Sequence, residues 1–583
     1  MRAKQTREDA CIEKTLAQMS LEQRVGQCFT YLWSGHLITP SVIGAIEQLH
    51  CGGLRLQPAF LSGKRHQYYN FDTSAGAYDY PKGYKLVPET LLSPGVLGNI
   101  EPEIYAERLN RLQAIAAARP GGVPLHMVID QEGDLSRNFP FGGASLFPAA
   151  MGQVASGDPK FVYEINRTVA RQLSAMGINA IHSPVLDVNI NPDNPEIGIR
   201  AYGDDSGVAA EYGAAAARGL RDGGLIPFAK HFPGRGDSSS DAHFGTPQLN
   251  ASRRRLDQVE LVPFRRVIEA GIDGIMIAHN IYRALDPGVI STVSRRIITD
   301  LLRGELGFQG VVTTDAIAMQ ALMKVYPLPE ACARALQAGA DLVLNKTETG
   351  YRDQGFFETL KFVQKGLIPE DELNDKVRRI LRMKVRLGLF KSAGQVDAAK
   401  AGHWIQNSGT RKLASEAARR AIVVMRDRKK LLPLKPRQKI LVVEQRLEDV
   451  FLGLNAASHR LCFTEAMFGQ SMNIVAADTA FCATEKDEAF ILPLVDQADV
   501  VVMTNDYNRS EENNSGLLRK ILKKTAKVVV VANTPYPMAI PREVPTAICT
   551  FASTPESHRA AAAVLFGVLK PAGRWPLKRC ARG

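Results

Sequence analysis

The chain has 583 residues, more than a single hydrophobic core usually supports, so two or more domains are expected. Hydrophobic residues make up 45% of it and charged residues 23%, an ordinary balance for a globular protein that argues against a disordered or fibrous one. The net charge of +12 comes from scattered basic clusters without interleaved aromatic residues, and this favours a solvated basic surface over a nucleic-acid groove.

Eight short apolar runs, each ending in polar residues, alternate with helical patterns in the first part of the chain. The runs lie at 27–33, 52–56, 125–130, 178–188, 226–231, 274–279, 310–315 and 340–345. The clearest helical patterns lie at 160–176, 206–222, 256–270, 294–305 and 328–339. This alternation predicts an α/β fold over residues 1–390, a (β/α)8 barrel of the TIM type with its active site at the carboxyl ends of the strands.

The interval after the second run is too long for one crossover. Residues 60–100 are rich in tyrosine, glycine and proline and show little periodicity. On a barrel this insertion would lie on the active-site face and form a lid or a wall of a substrate cleft. A surface loop without a function is the alternative reading of the same segment.

A second, smaller domain is predicted after the barrel. Small and polar residues at 391–406 predict a linker. Beyond it, the segments 421–426, 439–445, 498–505, 527–533 and 546–553 resemble strands, and 557–567 has a helical pattern. The sequence therefore predicts an α/β layered sandwich, mainly parallel, over residues 407–583. No glycine-rich fingerprint follows these strands, so nucleotide binding is not indicated.

The eight cysteines are widely separated, with no C-x-x-C pair and no spacing typical of a disulfide scaffold. Free thiols in a reducing compartment are therefore expected. The N-terminal segment has basic residues without an apolar stretch behind them, and no run is long enough to span a bilayer. These features predict a cytoplasmic protein without a membrane span.

Polar residues stand at the predicted carboxyl ends of several barrel strands, where a rim would bring them together. They are Asp130, Arg200, Lys230, His231, His279 and Asp315. Each alone is compatible with a structural cap or a buried hydrogen bond, and for Asp187 the structural role is the preferred interpretation. Together, and without an H-E-x-x-H motif, they suit a polyhydroxylated ligand held by charge-assisted hydrogen bonds.

The loop after the fifth run carries an aspartate and a histidine two residues apart. In an extended segment Asp241 and His243 can point to the same side, so that the carboxylate orients the imidazole by accepting its ring N–H. Glycine and serine around the pair indicate a surface loop. A polar loop whose histidine merely faces water is the alternative for an isolated D-x-H.

The string from Lys230 to Pro247, KHFPGRGDSSSDAHFGTP, resembles the signature of bacterial β-N-acetylhexosaminidases of glycoside hydrolase family 3. The resemblance extends to SLEQRVGQ, DQEG, PVLDVN, IGIRAYG, IMIAHN and GFQGVVTTDAIAM, and in the second region to ARRAIVVMRDRKKLLPL and VLFGVLKPAGRWPL. The resemblance covers nearly the whole chain, which in this respect is similar to the two-domain members of that family.

The resemblance implies a role for individual residues. Asp315 matches the catalytic nucleophile, His243 the general acid/base and Asp241 the carboxylate paired with it. Positions that hold the terminal sugar are matched by Asp130, Arg137, Arg200, Lys230 and His231. The resemblance further implies a small carbohydrate substrate, terminal β-linked N-acetylglucosamine from cell-wall muropeptides or chitin-type oligosaccharides, hydrolysed with retention and without a metal or an organic cofactor.

The sequence departs from the family pattern in three places. Asp134 follows Gly133 where a second glycine is usual, which leaves the register of Arg137 open. Ala242 stands where serine is common in the family. The 60–100 insertion is longer than the family pattern, so the identity of the leaving group stays open.

Alternative functions are a β-glucosidase or β-xylosidase whose acid is a second-domain glutamate, a phosphorylase that transfers the sugar to phosphate, and a non-catalytic glycan sensor. The oligomeric state is left open.

Overall fold

The computed structural model describes residues 2–35, 37–57, 100–134, 144–347, 351–405, 407–447, 461–509 and 512–580. The predicted insertion at 60–100 lies outside the described residues except for Ile100, and Arg137 also lies outside them. The described chain folds into a closed barrel and a separate six-stranded sheet, with one further short pair of strands.

Eight parallel strands of the described chain close into the barrel, which confirms the predicted fold class. They are β1 (Phe29–Ser34), β2 (Gly53–Gln57), β3 (His126–Ile129), β4 (Ala180–Ile181), β5 (Ile226–Phe232), β7 (Gly274–Ile277), β9 (Val311–Ala316) and β10 (Leu342–Asn345). Their order around the barrel is β1-β10-β9-β7-β5-β4-β3-β2. A two-stranded sheet of β6 (Gln248–Leu249) and β8 (Ile281–Tyr282) lies beside it.

The fourth strand is much shorter than the apolar run at 178–188 predicted. Only Ala180 and Ile181 pair with both neighbours, although the His182 N–H still donates to the Ile129 carbonyl over 2.9 Å. Pro184, further along, has no N–H to donate to a ladder. The chain beyond it still follows β5, since the Lys230 N–H donates to the Pro184 carbonyl (3.0 Å) and the Leu186 N–H to the Lys230 carbonyl (2.6 Å). The residues after β4 therefore stay buried on the barrel rim.

Helices follow most barrel strands and cover the barrel from outside. In the barrel part they span Arg2–Ala17, Leu21–Gln27, Pro40–Glu47, Pro102–Ala118, Ala150–Ala155, Pro159–Ala175, Ser206–Asp222, Arg253–Gln258, Leu261–Glu269, Arg296–Glu305, Gln320–Met323, Leu328–Gln337, Tyr351–Gln364 and Glu370–Arg386. The helix predicted at 256–270 is instead two helices, the second with Pro263 in its first turn. None of the helices in the described ranges is long and apolar enough to cross a membrane.

The second sheet has six strands, one more than the sequence predicted. They are β11 (Val423–Asp427), β12 (Ile440–Gln445), β13 (Ile474–Thr479), β14 (Val500–Thr504), β15 (Val528–Ala532) and β16 (Thr546–Cys549), in the order β11-β16-β15-β14-β12-β13. Only β11 runs antiparallel to its neighbour. Helices Ser408–Ala421, Cys462–Phe468, Glu485–Val495, Ser515–Lys524 and Pro555–Leu565 complete this α/β domain, whose mainly parallel character is confirmed.

The segment predicted as a linker, 391–406, is partly helical. Helix Leu389–Ser392 ends in it, and Ala398–Lys400 and Ala401–Ile405 form two further short helices. The Val396 N–H donates to Asn110 Oδ1 (2.9 Å), so this segment is attached to the barrel. The boundaries 1–390 and 407–583 stay predictions.

The two domains pack directly on each other near the carboxyl end of the barrel. The Asp204 carboxylate accepts backbone N–H groups of Lys578 (2.7 Å), Arg579 (2.8 Å) and Cys580 (3.1 Å). Asn189 Nδ2 donates to the Tyr536 hydroxyl over 2.9 Å. These bonds join the rim that follows β4 to the far end of the chain, so the barrel mouth borders the second domain.

Two buried aspartates face each other across this contact. Asp134 of the barrel accepts the backbone N–H of Ser553 (2.7 Å), and Asp506, which follows β14, accepts the N–H of Asn533 (2.8 Å). Burial raises the pKa of Asp506 to about 7, and the Asp134 carboxylate adds to that rise. Asp506 therefore keeps its proton in the folded protein at a pH where an unfolded aspartate is ionised.

This raised pKa predicts a pH-dependent contribution to stability. The stabilisation is complete below the unfolded pKa of about 3.9 and is lost as the pH rises through the folded value. Between about pH 5 and pH 7 the group lowers the free energy of unfolding by about 1.4 kcal/mol per pH unit. Asp506→Asn, which mimics the neutral acid, is expected to reduce this slope in urea unfolding at several pH values.

The matched control is Asp478→Asn, because Asp478 is an exposed aspartate of the same domain. This variant is expected to keep the pH dependence of the wild type. Equal slopes for wild type and Asp506→Asn would contradict the prediction.

Candidate active site

Lys230 links two carboxylates at the end of β3. Its Nζ lies 3.1 Å from Asp130 Oδ1 and 2.6 Å from Glu132 Oε1. The lysine is 2% exposed, and a buried ammonium requires such counter-charges. Two predicted residues, Asp130 and Lys230, are therefore in direct contact, although they are 100 positions apart in the chain.

Arg200 joins the same group through Glu132. Its Nε lies 2.6 Å from Glu132 Oε2 and its Nη2 lies 3.1 Å from Oε1, a bidentate pair. Asp130 also contacts the guanidinium of Arg55 and lies 3.3 Å from Nδ1 of His182. Burial opposes ionisation of Asp130, but Arg55 and Lys230 hold its pKa well below the usual range.

The pairing register of β5 shifts between Ala229 and Phe232. This irregularity allows the consecutive residues Lys230 and His231 both to contribute side chains to the rim. His231 Nδ1 lies 2.6 Å from Asp187 Oδ2, and the other Asp187 oxygen accepts the backbone N–H of Arg235 (2.8 Å). Burial raises the pKa of Asp187 to about 6. Asp187 holds the start of the loop against the strand, in agreement with the structural role expected for it.

Arg235 connects this group to Asp315. Its Nη2 lies 2.8 Å from His231 Nε2, 2.9 Å from Glu196 Oε1 and 3.6 Å from Asp315 Oδ2. Asp315 Oδ1 accepts the N–H of Ala316 (2.7 Å) at the end of β9. Burial alone would raise the pKa of Asp315, but the charge of Arg235 keeps it well below the ordinary value, so the carboxylate is ionised.

The two glycines around Arg235 allow the loop to lie close to the barrel. A Cβ at Gly236 would be 1.9 Å from the Val188 carbonyl oxygen, so no larger residue fits there. Gly234 has φ of 119°, which favours glycine. The GRG sequence is therefore a packing requirement of this loop.

Asp241 and His243 form the predicted pair. His243 Nδ1 lies 2.7 Å from Asp241 Oδ1, which also accepts the His243 backbone N–H (2.8 Å). Burial opposes ionisation of Asp241, but the hydrogen bond from His243 lowers its pKa below the ordinary value. This arrangement fixes the ring through Nδ1 and is suited to proton transfer at Nε2.

Two further groups lie beside His243 that the sequence did not indicate. Glu196 Oε1 is 3.6 Å from His243 Nδ1, and burial raises the pKa of this glutamate in spite of nearby Arg235. Arg509 of the second domain places Nη1 3.1 Å from both ring nitrogens of His243. The candidate site therefore includes a side chain from each domain.

His279, the remaining rim residue, lies behind the site. Its Nε2 is 3.0 Å from the Ala316 carbonyl and its Nδ1 contacts Thr292 Oγ1. The residue is fully buried, and burial lowers its pKa, so the imidazole is neutral. His279 supports the backbone next to Asp315.

Glu196, Asp241 and His243 offer oxygen and nitrogen atoms within 4.8 Å of one another, the kind of set that can hold a metal ion. Guanidinium groups lie close to this set, since Arg235 is 2.9 Å from Glu196 and Arg509 is 3.1 Å from His243. Their positive charge disfavours a cation at this position. The expected absence of a metal stays a prediction.

The structure brings most of the predicted site residues to one end of the barrel and adds several others. Asp130, Arg200, Lys230, His231, Asp241, His243 and Asp315 lie in this connected network, and Arg137 is outside the described residues. The residues that sequence reasoning missed are Arg55, Glu132, His182, Glu196, Arg235 and Arg509. Position after a strand was a usable signal for Glu132 and His182, and the loop signature contained Arg235.

These features define a class of two-domain protein, a parallel barrel with a histidine–carboxylate site at its junction with an α/β domain. The chain belongs to glycosyl hydrolase family 3: residues 87–383 match the family's N-terminal domain and residues 422–581 match its C-terminal domain.

Three similar proteins illustrate the family. Beta-hexosaminidase A of Pseudoalteromonas piscicida is 29% identical over 58% of this chain, and the match spans 61% of that protein's length. A beta-N-acetylglucosaminidase/beta-glucosidase of Cellulomonas fimi is 27% identical over 73% of this chain and 68% of its own. The structure of a family 3 beta-N-acetylglucosaminidase from Paenibacillus sp. str. FPU-7 has 28% identity and a TM-score of 0.82, covering 97% and 99% of the two chains.

Glu132 lies between the buried side chains of Lys230 and Arg200, so its removal is expected to lower the free energy of unfolding strongly. Glu132→Ala leaves Lys230 and Arg200 without this carboxylate, and breaking a buried ion pair costs about 3 kcal/mol. We expect that loss in the free energy of unfolding measured with urea. Glu164→Ala, which removes a partly exposed ion pair with Arg167, should cost less than about 1 kcal/mol. Equal losses in the two variants would contradict the prediction.

Proposed function

We propose that the protein removes terminal β-linked N-acetylglucosamine from the non-reducing end of small glycans by retaining, two-step hydrolysis. The substrates proposed are cell-wall muropeptides or chitin-type oligosaccharides. One observation carries the proposal: the His243–Asp241 pair stands on the loop whose Arg235 reaches the ionised Asp315. Retaining hydrolysis needs these two functions, a carboxylate nucleophile and a proton donor on the leaving oxygen.

In the first step the Asp315 carboxylate attacks the anomeric carbon and forms a glycosyl ester. The protonated His243 gives a proton to the departing oxygen, and Asp241 holds the ring through Nδ1 and stabilises its protonated form before the transfer. In the second step His243 accepts a proton from water, which attacks the anomeric carbon and releases Asp315. A histidine in this role avoids a second negative charge beside the nucleophile.

The hydroxyl groups of the terminal sugar are assigned to the Lys230 network. Asp130, Lys230 and Arg200 supply an acceptor and two donors, and Glu132 between them keeps their positions fixed. His231, which lies 3.9 Å from Asp315, would contact the sugar close to the reacting carbon. The names of the hexosaminidase relatives support an acetamido sugar, whereas the Cellulomonas relative is also named a beta-glucosidase.

The acid is assigned to His243 instead of a second-domain glutamate. Of the two glutamates that follow Arg509 in sequence, Glu511 lies outside the described residues. Glu512 is exposed, and its Oε2 is 3.9 Å from Cys482 Sγ. Asp241, by contrast, is buried and hydrogen-bonded to the ring that would transfer the proton. This difference supports hydrolysis through the dyad.

Comparison of two chromogenic substrates tests the proposal. The wild type is expected to release 4-nitrophenol from the β-N-acetylglucosaminide faster than from the β-glucoside, with free sugar as product whether or not phosphate is present. Asp315→Ala should lower kcat by at least about 1,000-fold on both, because no nucleophile remains. A preference for the glucoside, or accumulation of sugar 1-phosphate, would replace the proposal by the β-glucosidase or the phosphorylase alternative.

The role of His243 is tested by the dependence on the leaving group. In His243→Ala the hydrolysis of an alkyl glycoside should fall by about 100-fold or more, because its poor leaving group requires protonation. Hydrolysis of the 4-nitrophenyl glycoside should fall much less, since nitrophenolate departs without a proton. Phe244→Ala, which truncates the exposed neighbour, serves as the control and should affect both substrates alike. Equal losses in His243→Ala would remove the acid assignment.

A further inference from the structure

The second domain places one cation beside the proposed acid. Arg509 lies on the loop that follows β14, and its Nη1 is 3.1 Å from both ring nitrogens of His243. Tyr507 in the same loop donates its hydroxyl to the Pro195 carbonyl over 3.1 Å, which attaches the loop to the barrel. Arg509 has φ of 52°, a left-handed conformation that costs a residue with a side chain about 1 kcal/mol. The contacts of the loop offset this cost.

The neighbouring charges are paired with other groups. Glu196 is 2.9 Å from Arg235, Asp241 is bonded to His243, and Arg200 forms its bidentate pair with Glu132. Within the described residues no carboxylate lies at ion-pair distance from Arg509. A guanidinium carries five N–H donors, so Arg509 can bind an oxyanion in addition to its contact with His243.

A cleft lies beside Arg509 between the two domains. Six of the residues that line it are Glu196, Arg200, Tyr507, Asn508, Arg509 and Met538. The barrel and the second domain thus form opposite walls of a space that adjoins the proposed acid. The part of a substrate beyond the terminal sugar would lie on this side of the acid.

Proton transfer sets where a leaving group must lie. The departing oxygen has to approach His243 Nε2, and Arg509 Nη1 lies 3.1 Å from that atom and 3.1 Å from Nδ1, over the ring. A neutral leaving group at that position gains no ion pair from the guanidinium. An oxyanion next to that oxygen instead gains a charge-assisted hydrogen bond from it.

We propose that Arg509 forms an oxyanion subsite for the leaving group, so that the protein prefers a substrate with a carboxylate close to the scissile bond. Inorganic phosphate has the same chemistry and is the second source of an oxyanion. In that case a phosphate oxygen bonds to the anomeric carbon as its ester bond to Asp315 breaks, His243 takes the phosphate proton, and sugar 1-phosphate leaves. The inference rests on the proposed function, because it places the leaving oxygen at His243.

The test compares 2-(carboxymethyl)phenyl glycosides, whose carboxylate lies beside the glycosidic oxygen, with their methyl esters. The methylene group separates the carboxylate from the ring, so the two phenols leave with similar ease. We expect the wild type to favour the acid in kcat/KM by about 10-fold, the size of one charge-assisted hydrogen bond at a partly exposed site. Arg509→Ala should bring the ratio close to 1, and Arg509→Lys should keep part of it.

Arg519→Ala is the matched control, because Arg519 is an exposed arginine of the same domain. It should retain the wild-type ratio. The pair is prepared on both N-acetylglucosamine and glucose, so a glucoside preference contradicts the proposed function without removing the measurement of the acid-to-ester ratio.

Product analysis in the presence of phosphate distinguishes the two sources of the oxyanion, a carboxylate of the leaving group and inorganic phosphate. If Arg509 serves phosphate, sugar 1-phosphate forms with the wild type and not with Arg509→Ala, while the acid-to-ester ratio stays near 1 in both. Phosphate should in either case raise the unfolding temperature of the wild type and of Arg519→Ala more than that of Arg509→Ala, a measurement independent of turnover. An acid-to-ester ratio and a phosphate response that are the same in wild type and Arg509→Ala would overturn the proposal.

Discussion

The buried guanidinium of Arg235 is the interaction on which the candidate site depends. A charge that is 2% exposed requires counter-charges, and Arg235 meets Glu196 and Asp315 at 2.9 and 3.6 Å. Because Arg235 belongs to the loop that carries His243, satisfying its charge brings that loop against the end of β9. The same contact keeps Asp315 ionised, so the position of the loop and the state of the carboxylate have one cause.

The barrel could be predicted because parallel strands buried on both faces are nearly continuous apolar runs. The rule that strand ends share one rim also found Asp130, Lys230 and Asp315. Strand prediction from apolar runs failed for β13. Its sequence, IVAADT, lies at the edge of the second sheet, and several of its residues are partly or fully exposed. An edge strand of this kind has no continuous apolar run to detect.

Contacts between distant parts of the chain set the limit of sequence reasoning at the site. His243 and Arg509 are 266 positions apart and lie in different domains. An arginine in a polar loop looks like any solvated charge until the packing of the two domains is known. Glu196 is similar, since its place beside His243 depends on how the irregular segment after β4 folds over the rim.

The second domain is best understood as a wall of the site. Asp204 holds the segment 578–580 through three backbone N–H groups, and Asn189 binds Tyr536, so the interface begins on the rim that leads to Arg200. A shift of the second domain on these contacts would move Arg509 relative to His243. The network around Lys230, in contrast, is made of barrel residues in the part of the chain that the structure describes. Under the proposed function the two recognition tasks are therefore separate, with the terminal sugar assigned to the barrel and the group beyond it to the space between the domains.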